Sequence, residues 1–189
     1  MPVIGLARDM VDEPHRTLRD LVRHVGRYPE DAFHFVREGL AKAAEQVHGP
    51  ETKAHRRLYK YLFYEKLDWC DLVTRYQSGE LPEPVVQAIE QAGGCEKLDR
   101  HVSGRELCWA LRDFAIDRWG MLARTVLESW NLKSTADFGR IVFGFIEFDL
   151  MQKQPGDRIE DFEDVYCFEE AFDHSLSTGL GDSDGSPRR

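Results

Sequence analysis

Long apolar runs are missing from this chain. The longest, Ile141 to Ile146, is interrupted by Gly144 and is far too short to cross a bilayer. The first ten residues, MPVIGLARDM, hold neither the basic start nor the apolar stretch of a signal peptide. Together these absences lead us to expect a cytoplasmic protein that does not enter a membrane. Closely spaced cysteines are missing too. The four, at positions 70, 95, 108 and 167, form no CxxC pair, which argues against a disulfide framework or a zinc site. Cys108 and Cys167 lie in apolar periodic segments, where a thiol is expected to behave as a small core side chain. Positive charge is in deficit. With 25 Lys and Arg against 34 Asp and Glu, the net charge of −9 disfavours whole-molecule attraction to nucleic acid or anionic lipid.

Catalytic signatures are also lacking: there is no HExxH, GxSxG, P-loop or GxGxxG. The carboxylates Asp157, Glu160, Asp161, Glu163 and Asp164 invite a calcium reading. They lack the spacing and the terminal Glu of an EF-hand loop, so a solvated acidic segment is the expectation. His101 stands near Ser103, but Ser103 is accounted for as a helix cap. The sequence therefore leads us to expect no catalytic, cofactor-binding or metal-binding residues.

What is present is a chain of 189 residues, 42% hydrophobic and 11% aromatic, enough to bury a sizeable core. We expect a mainly α protein: a helical N-terminal part, then a helix-turn-helix or winged-helix-like module with a short acidic β ribbon. Residues 1–13 read as a lead-in, 14–94 as the helical part, 100–173 as the module and 174–189 as a disordered tail. Asp12, Glu13 and Pro14 suit the start of a first helix reaching about Gly26. A second helix runs from Pro29-Glu30-Asp31 to before Gly49-Pro50, with Ala32, Phe33, Val36, Leu40, Ala43, Ala44 and Val47 at helical spacing and Phe35 beside them. Residues 51–78 form one aromatic-rich helical stretch, and a short helix covers Pro84 to Ala92.

In the module, Ser103 and Glu106 make a capping box, and Leu107, Cys108, Leu111, Phe114, Ala115 and Trp119 keep a 3.6-residue period up to Gly120. A short helix spans Met121–Trp130, with Leu122, Val126, Leu127 and Trp130 facing inward. Asn131 closes it, and Ser134 caps a third helix with Asp137 three residues on. Two short amphipathic helices across so tight a turn read as helix-turn-helix geometry. IEDFEDVYCF would then supply the wing.

Charge is unevenly shared. From Glu147 to Asp173, ten acids face only Lys153 and Arg158, a net −8 in 27 residues. Residues 15–60 hold ten Lys and Arg against six acids, a net +4. Arg16, Arg19, Arg23 and Arg27 recur at helical spacing and form a stripe. It reads either as a solvated face or as a dock for an acidic partner or a phosphate backbone. The acidic ribbon would repel phosphates, so a protein-interaction or adaptor module is the first expectation. A nucleic-acid-associated regulator using the arginine stripe is the alternative, and an enzyme of unknown class a third. Candidate partner-binding residues are Arg16, Arg19, Arg23, Arg27, Tyr59, Tyr64, Trp69, Asp157, Glu160, Asp161, Glu163 and Asp164.

Several motifs occur in order: HVSGREL at His101–Leu107, WNL at Trp130–Leu132, TADFGRIVF at Thr135–Phe143 and DFEDVYCFEEAF at Asp161–Phe172. With YPEDAFHFVREGL at 28–40, this series resembles an uncharacterised repeat-protein family found mainly in Planctomycetes and Verrucomicrobia. The resemblance covers about half the chain. It implies the module fold and a bacterial cytoplasmic setting, and it implies no activity, substrate or cofactor. Two departures stand out: residues 50–99 resemble an insertion where the family has a short linker, and Asn131-Leu132 replaces a Gly-containing turn.

Overall fold

A computed structural model describes residues 17–173 apart from 152 and 155. The lead-in, the proposed helix start at Asp12-Glu13-Pro14, Arg16 and the 174–189 tail lie outside the described residues. Within them the protein is mainly helical, and no helix is long and apolar enough to cross a membrane.

The first helix, α1 (Leu18–Val25), begins where Thr17 and Asp20 cap each other: the Asp20 amide donates to the Thr17 hydroxyl, and the Thr17 amide and hydroxyl donate to the Asp20 carboxylate. Helix α2 (Glu30–His48) carries Phe33, Phe35, Val36 and Leu40 into the interior. The expected single helix over 51–78 is two. Helix α3 (Lys53–Glu65) stops where Lys66 turns left-handed (φ 53°), and Asp68 caps α4 (Trp69–Ser78). Helix α5 is Glu83–Gln91, α6 Gly104–Trp119, α7 Ala123–Ser129 and α8 Thr135–Glu147. Asn131 takes φ 63° to close α7, as expected of it. Leu122, expected inward, is exposed in the 3₁₀ turn before α7, and Ala123 is buried instead. Val47 also lies open, on the last turn of α2.

The acidic ribbon is overturned: no strand occurs among the described residues. Ile159–Phe162 is a 3₁₀ turn, and Phe168–Asp173 is a short helix, α9. A two-stranded ribbon is marginal on its own, and runs of Asp and Glu have little preference for strands. What fixes this segment is the Phe162 ring, which sits between α6 and α8 where both helices carry glycine. A Cβ on Gly104 would stand 2.7 Å from the ring's Cε2, and one on Gly139 would stand 2.7 Å from Phe162 Cβ. Because the latter contact is with the root of the side chain, Gly139→Ala has little room to relax. We expect it to lower stability by about 1–3 kcal/mol, despite alanine's better helix propensity. Denaturant titration measures this, and an unchanged midpoint would show that the turn can slide away from α8.

Two hydrophobic clusters form. The larger joins α1 and α2 to α6, α7, α8 and the segment through α9, around Phe33, Phe35, Leu111, Phe138 and Ile141. The smaller draws only on residues 54–98, with Leu58, Leu62, Leu72 and Ile89 at its centre. Arg100, 2% exposed, follows directly after it. Its guanidinium donates to the carbonyls of Ala44, His48 and Gly49 at 3.3, 3.4 and 2.6 Å, which satisfies the open C-terminal end of α2. Cys108 is buried in the larger cluster as expected, and burial pushes its thiol up to about 12. Cys167 is exposed, contrary to expectation, because it precedes α9 on the outer side of the chain.

Candidate interaction surfaces

Helix α8, placed where a groove-reading helix would be, is a core element. Along Thr135–Glu147 only Arg140 and Glu147 are exposed, because Phe138, Ile141, Val142 and Phe145 bury one side and Gly139 and Gly144 admit neighbours to the other. Its first turn is built around Asp137, whose side chain is 2% exposed. Oδ2 accepts from the main-chain N–H groups of Lys133 and Ser134 at 2.8 and 3.0 Å. Oδ1 accepts from the Tyr28 hydroxyl at 2.7 Å and from Arg140 at 2.6 Å, and Arg27 stands 3.4 Å away. Burial alone would raise this carboxyl, but the bonds from Tyr28, Lys133 and Ser134 and the Arg140 charge hold it below the usual carboxylate range. Burial together with Asp137 pushes Tyr28 up to about 12.

The arginine stripe is only partly a stripe. Arg19 is exposed and carries no ion pair among the described residues, while Arg23 stands 3.7 Å from Asp20. Arg27 lies beyond the end of α1 and turns to Asp137, so Arg27 and Arg140 share one corner of the surface. Between the basic first helix and the acidic segment, His24 faces Glu147 at 3.8 Å.

The aromatic candidates separate. Tyr59 is 4% exposed and meets Trp69 edge-on at 5.6 Å, and Trp69 packs against the smaller cluster. Tyr64 is 58% exposed and packs edge-on against Phe63, itself 50% exposed. Sequence reading counted Phe63 among the aromatics of this stretch but not among the candidate binding residues, and it missed that Lys53, Arg57 and Lys60 lie beside it on the exposed side of α3. The signal was in KAHRRLYKYLFYEK, where basic residues recur at steps of three or four.

The acidic candidates stay largely on the surface. Asp157 is half-buried, paired with His101 at 3.3 Å, and accepts from the Gln154 amide. Asp161 accepts from the Arg158 amide. Glu160, Glu163, Asp164, Glu169 and Glu170 are exposed and have no ion pair among the described residues. They are not on a loose loop: Phe162, Phe168 and Phe172 root the segment in the main core, Arg112 Nε donates to the Ala171 carbonyl at 2.8 Å, and the Tyr166 hydroxyl donates to the Cys108 carbonyl at 2.8 Å. Trp109 stacks obliquely on Tyr166, ring centres 4.8 Å apart, and remains 42% exposed beside them.

Ser103 and His101 are not joined. The Ser103 hydroxyl donates to Glu106 at 2.7 Å as part of its capping box, and that bond holds the Glu106 carboxyl below its usual range. The cavity beside His101 and Phe162 is only about 20 Å³, room for a single water. No family model, no curated protein and no solved structure matches this chain.

Proposed function

We propose that this chain is a non-enzymatic protein-interaction module, an adaptor working in a cytoplasmic setting through its acidic surface. The observation that carries the reading is the display of Glu160, Glu163, Asp164, Glu169 and Glu170, exposed and without ion pairs among the described residues, on a segment rooted in the core by three phenylalanines. Charges held on a rigid base steer a basic partner and select against acidic ones, and they need little ordering on binding. The family that the motifs resemble implies no competing activity.

A tagged pull-down from native lysate, with nuclease treatment in parallel, tests this. A discrete protein that survives nuclease and is lost with Glu163→Lys/Asp164→Lys is the expected result. A partner indifferent to that reversal would sink the acidic-surface reading.

A second reading has one specific support. Arg27 and Arg140 converge on one corner, so a nucleic-acid-associated regulator would hold phosphate there rather than through α8 in a groove. Nucleic acid recovered at low salt and abolished by Arg27→Ala/Arg140→Ala would favour it.

A further inference from the structure

Helix α3 turns Ala54, Leu58 and Leu62 into the smaller cluster. Its other side carries Lys53, Arg57, Lys60 and Tyr64 at steps of three or four, with Phe63 beside them, all exposed. From Lys53 to Lys66 there are five cations and a single acid, Glu65. Arg56 pairs with Glu51 at 3.2 Å, whereas Lys53, Arg57 and Lys60 have no carboxylate partner among the described residues. Like charges one turn apart weaken a helix, and two half-exposed rings leave apolar area in water, so this face stabilises nothing within the molecule.

The same chain carries its complement. The acidic surface of Glu160, Glu163, Asp164, Glu169 and Glu170 forms no ion pair among the described residues; Arg124 at its edge is held by Glu128 and Asp173, and apolar area lies beside it at Trp109 and Ile159, 42% and 38% exposed. Both faces are exposed, so they do not neutralise each other within one copy. Two copies can satisfy both.

We propose that the basic, aromatic face of α3 docks on the acidic surface of a second copy of this chain. Lys53, Arg57 and Lys60 lie against the carboxylates, and Phe63 and Tyr64 cover the apolar area between them. This rests on reading the acidic surface as a docking surface and names its occupant. Rim charges set the rate and the salt dependence, while the buried rings supply most of the affinity.

Sedimentation or light scattering of the purified, nuclease-treated chain reads the association directly. The weight-average mass should rise above 21.9 kDa with concentration at about 0.05 M salt. It should fall back at about 1 M salt, where screening acts within about 3 Å. Arg57→Glu/Lys60→Glu alone and Glu163→Lys/Asp164→Lys alone should each be monomeric. An equimolar mixture of the two should associate again, because each reversed surface then meets its opposite. Phe63→Ala/Tyr64→Ala should weaken association about tenfold or more. All these positions are exposed, and far-ultraviolet circular dichroism checks that each variant keeps its helices.

A native chain that stays monomeric at every concentration overturns the proposal. So does association that survives both reversals, or a mass increase seen only when nuclease treatment is left out. If the chain is monomeric while Glu163→Lys/Asp164→Lys still loses its lysate partner, self-docking fails and the adaptor reading stands.

Discussion

Replacing Phe35 with alanine is expected to lower stability by about 3–5 kcal/mol, the range for deleting a buried aromatic ring. Phe35 is 1% exposed and has four ring neighbours, two on α6, one at the end of α7 and one on α8. It stacks on Phe114 with centres 5.3 Å apart, lies obliquely to Trp119 at 5.3 Å and Trp130 at 5.9 Å, and reaches Phe138 at 6.4 Å. Removing it opens a cavity bounded by α6, α7 and α8 at once, and rigid rings on every side limit how far it can collapse. Urea denaturation gives the magnitude. Tryptophan fluorescence and near-ultraviolet circular dichroism give the location, since Trp119 and Trp130 flank the site. A loss under about 1 kcal/mol with unchanged tryptophan signals would mean that Phe35 is peripheral to the core.

Asp137→Ala is expected to be nearly as costly, about 2–4 kcal/mol at neutral pH. The substitution removes a helix cap worth about 1 kcal/mol and takes the carboxylate acceptor from the buried Tyr28 hydroxyl, leaving it only Arg140, at about 1–3 kcal/mol. Arg27 and Arg140 are each nearly half exposed, so water re-solvates them and they add little. The effect depends on pH in a defined direction. Because the folded protein holds the Asp137 carboxyl below its unfolded value of about 3.9, its contribution is complete above that value. It disappears as pH falls through the lower folded pKa. The gap between native and variant stabilities should therefore close in acid, and denaturant titrations at neutral pH and near pH 3 measure it. A gap that stays constant would assign the loss to packing rather than to the ionised carboxylate. At the alkaline end, Tyr28 acts in the opposite sense: raised to about 12, its contribution holds below about 10 and is lost as pH rises through 12.

These two residues show what a linear reading reaches. Asp137 was legible as the third residue after Ser134 in a capping box, because that relation is local. Its bond to Tyr28, 109 residues earlier, was not. Phe35 was legible as an aromatic next to the apolar stripe of α2. That α2 is buried on a second side, with Phe33 meeting Phe145 and Phe35 meeting the tryptophans, depends on helices that follow much later. The acidic ribbon misled for a related reason. IEDFEDVYCF stands where a wing would follow the third helix, but the fate of Phe162 was set by glycines at 104 and 139, whose missing side chains make the slot that holds it.

The sequence by itself determined the mainly helical character, the starts of α2, α6 and α8, and the separation of a basic from an acidic region. Each of these follows from residues within a turn or two of one another: caps that satisfy free N–H groups, apolar side chains at a 3.6-residue period, and a plain count of charges. Tertiary structure alone decided that α8 is enclosed rather than presented, that Arg27 and Arg140 meet over one carboxylate, and that Tyr59 and Trp69 turn inward while Phe63 and Tyr64 face out. Those outcomes depend on which surfaces the helices bury against one another. Side chains far apart in the chain must share one volume there, and neither their spacing nor their composition states which of them will be left outside.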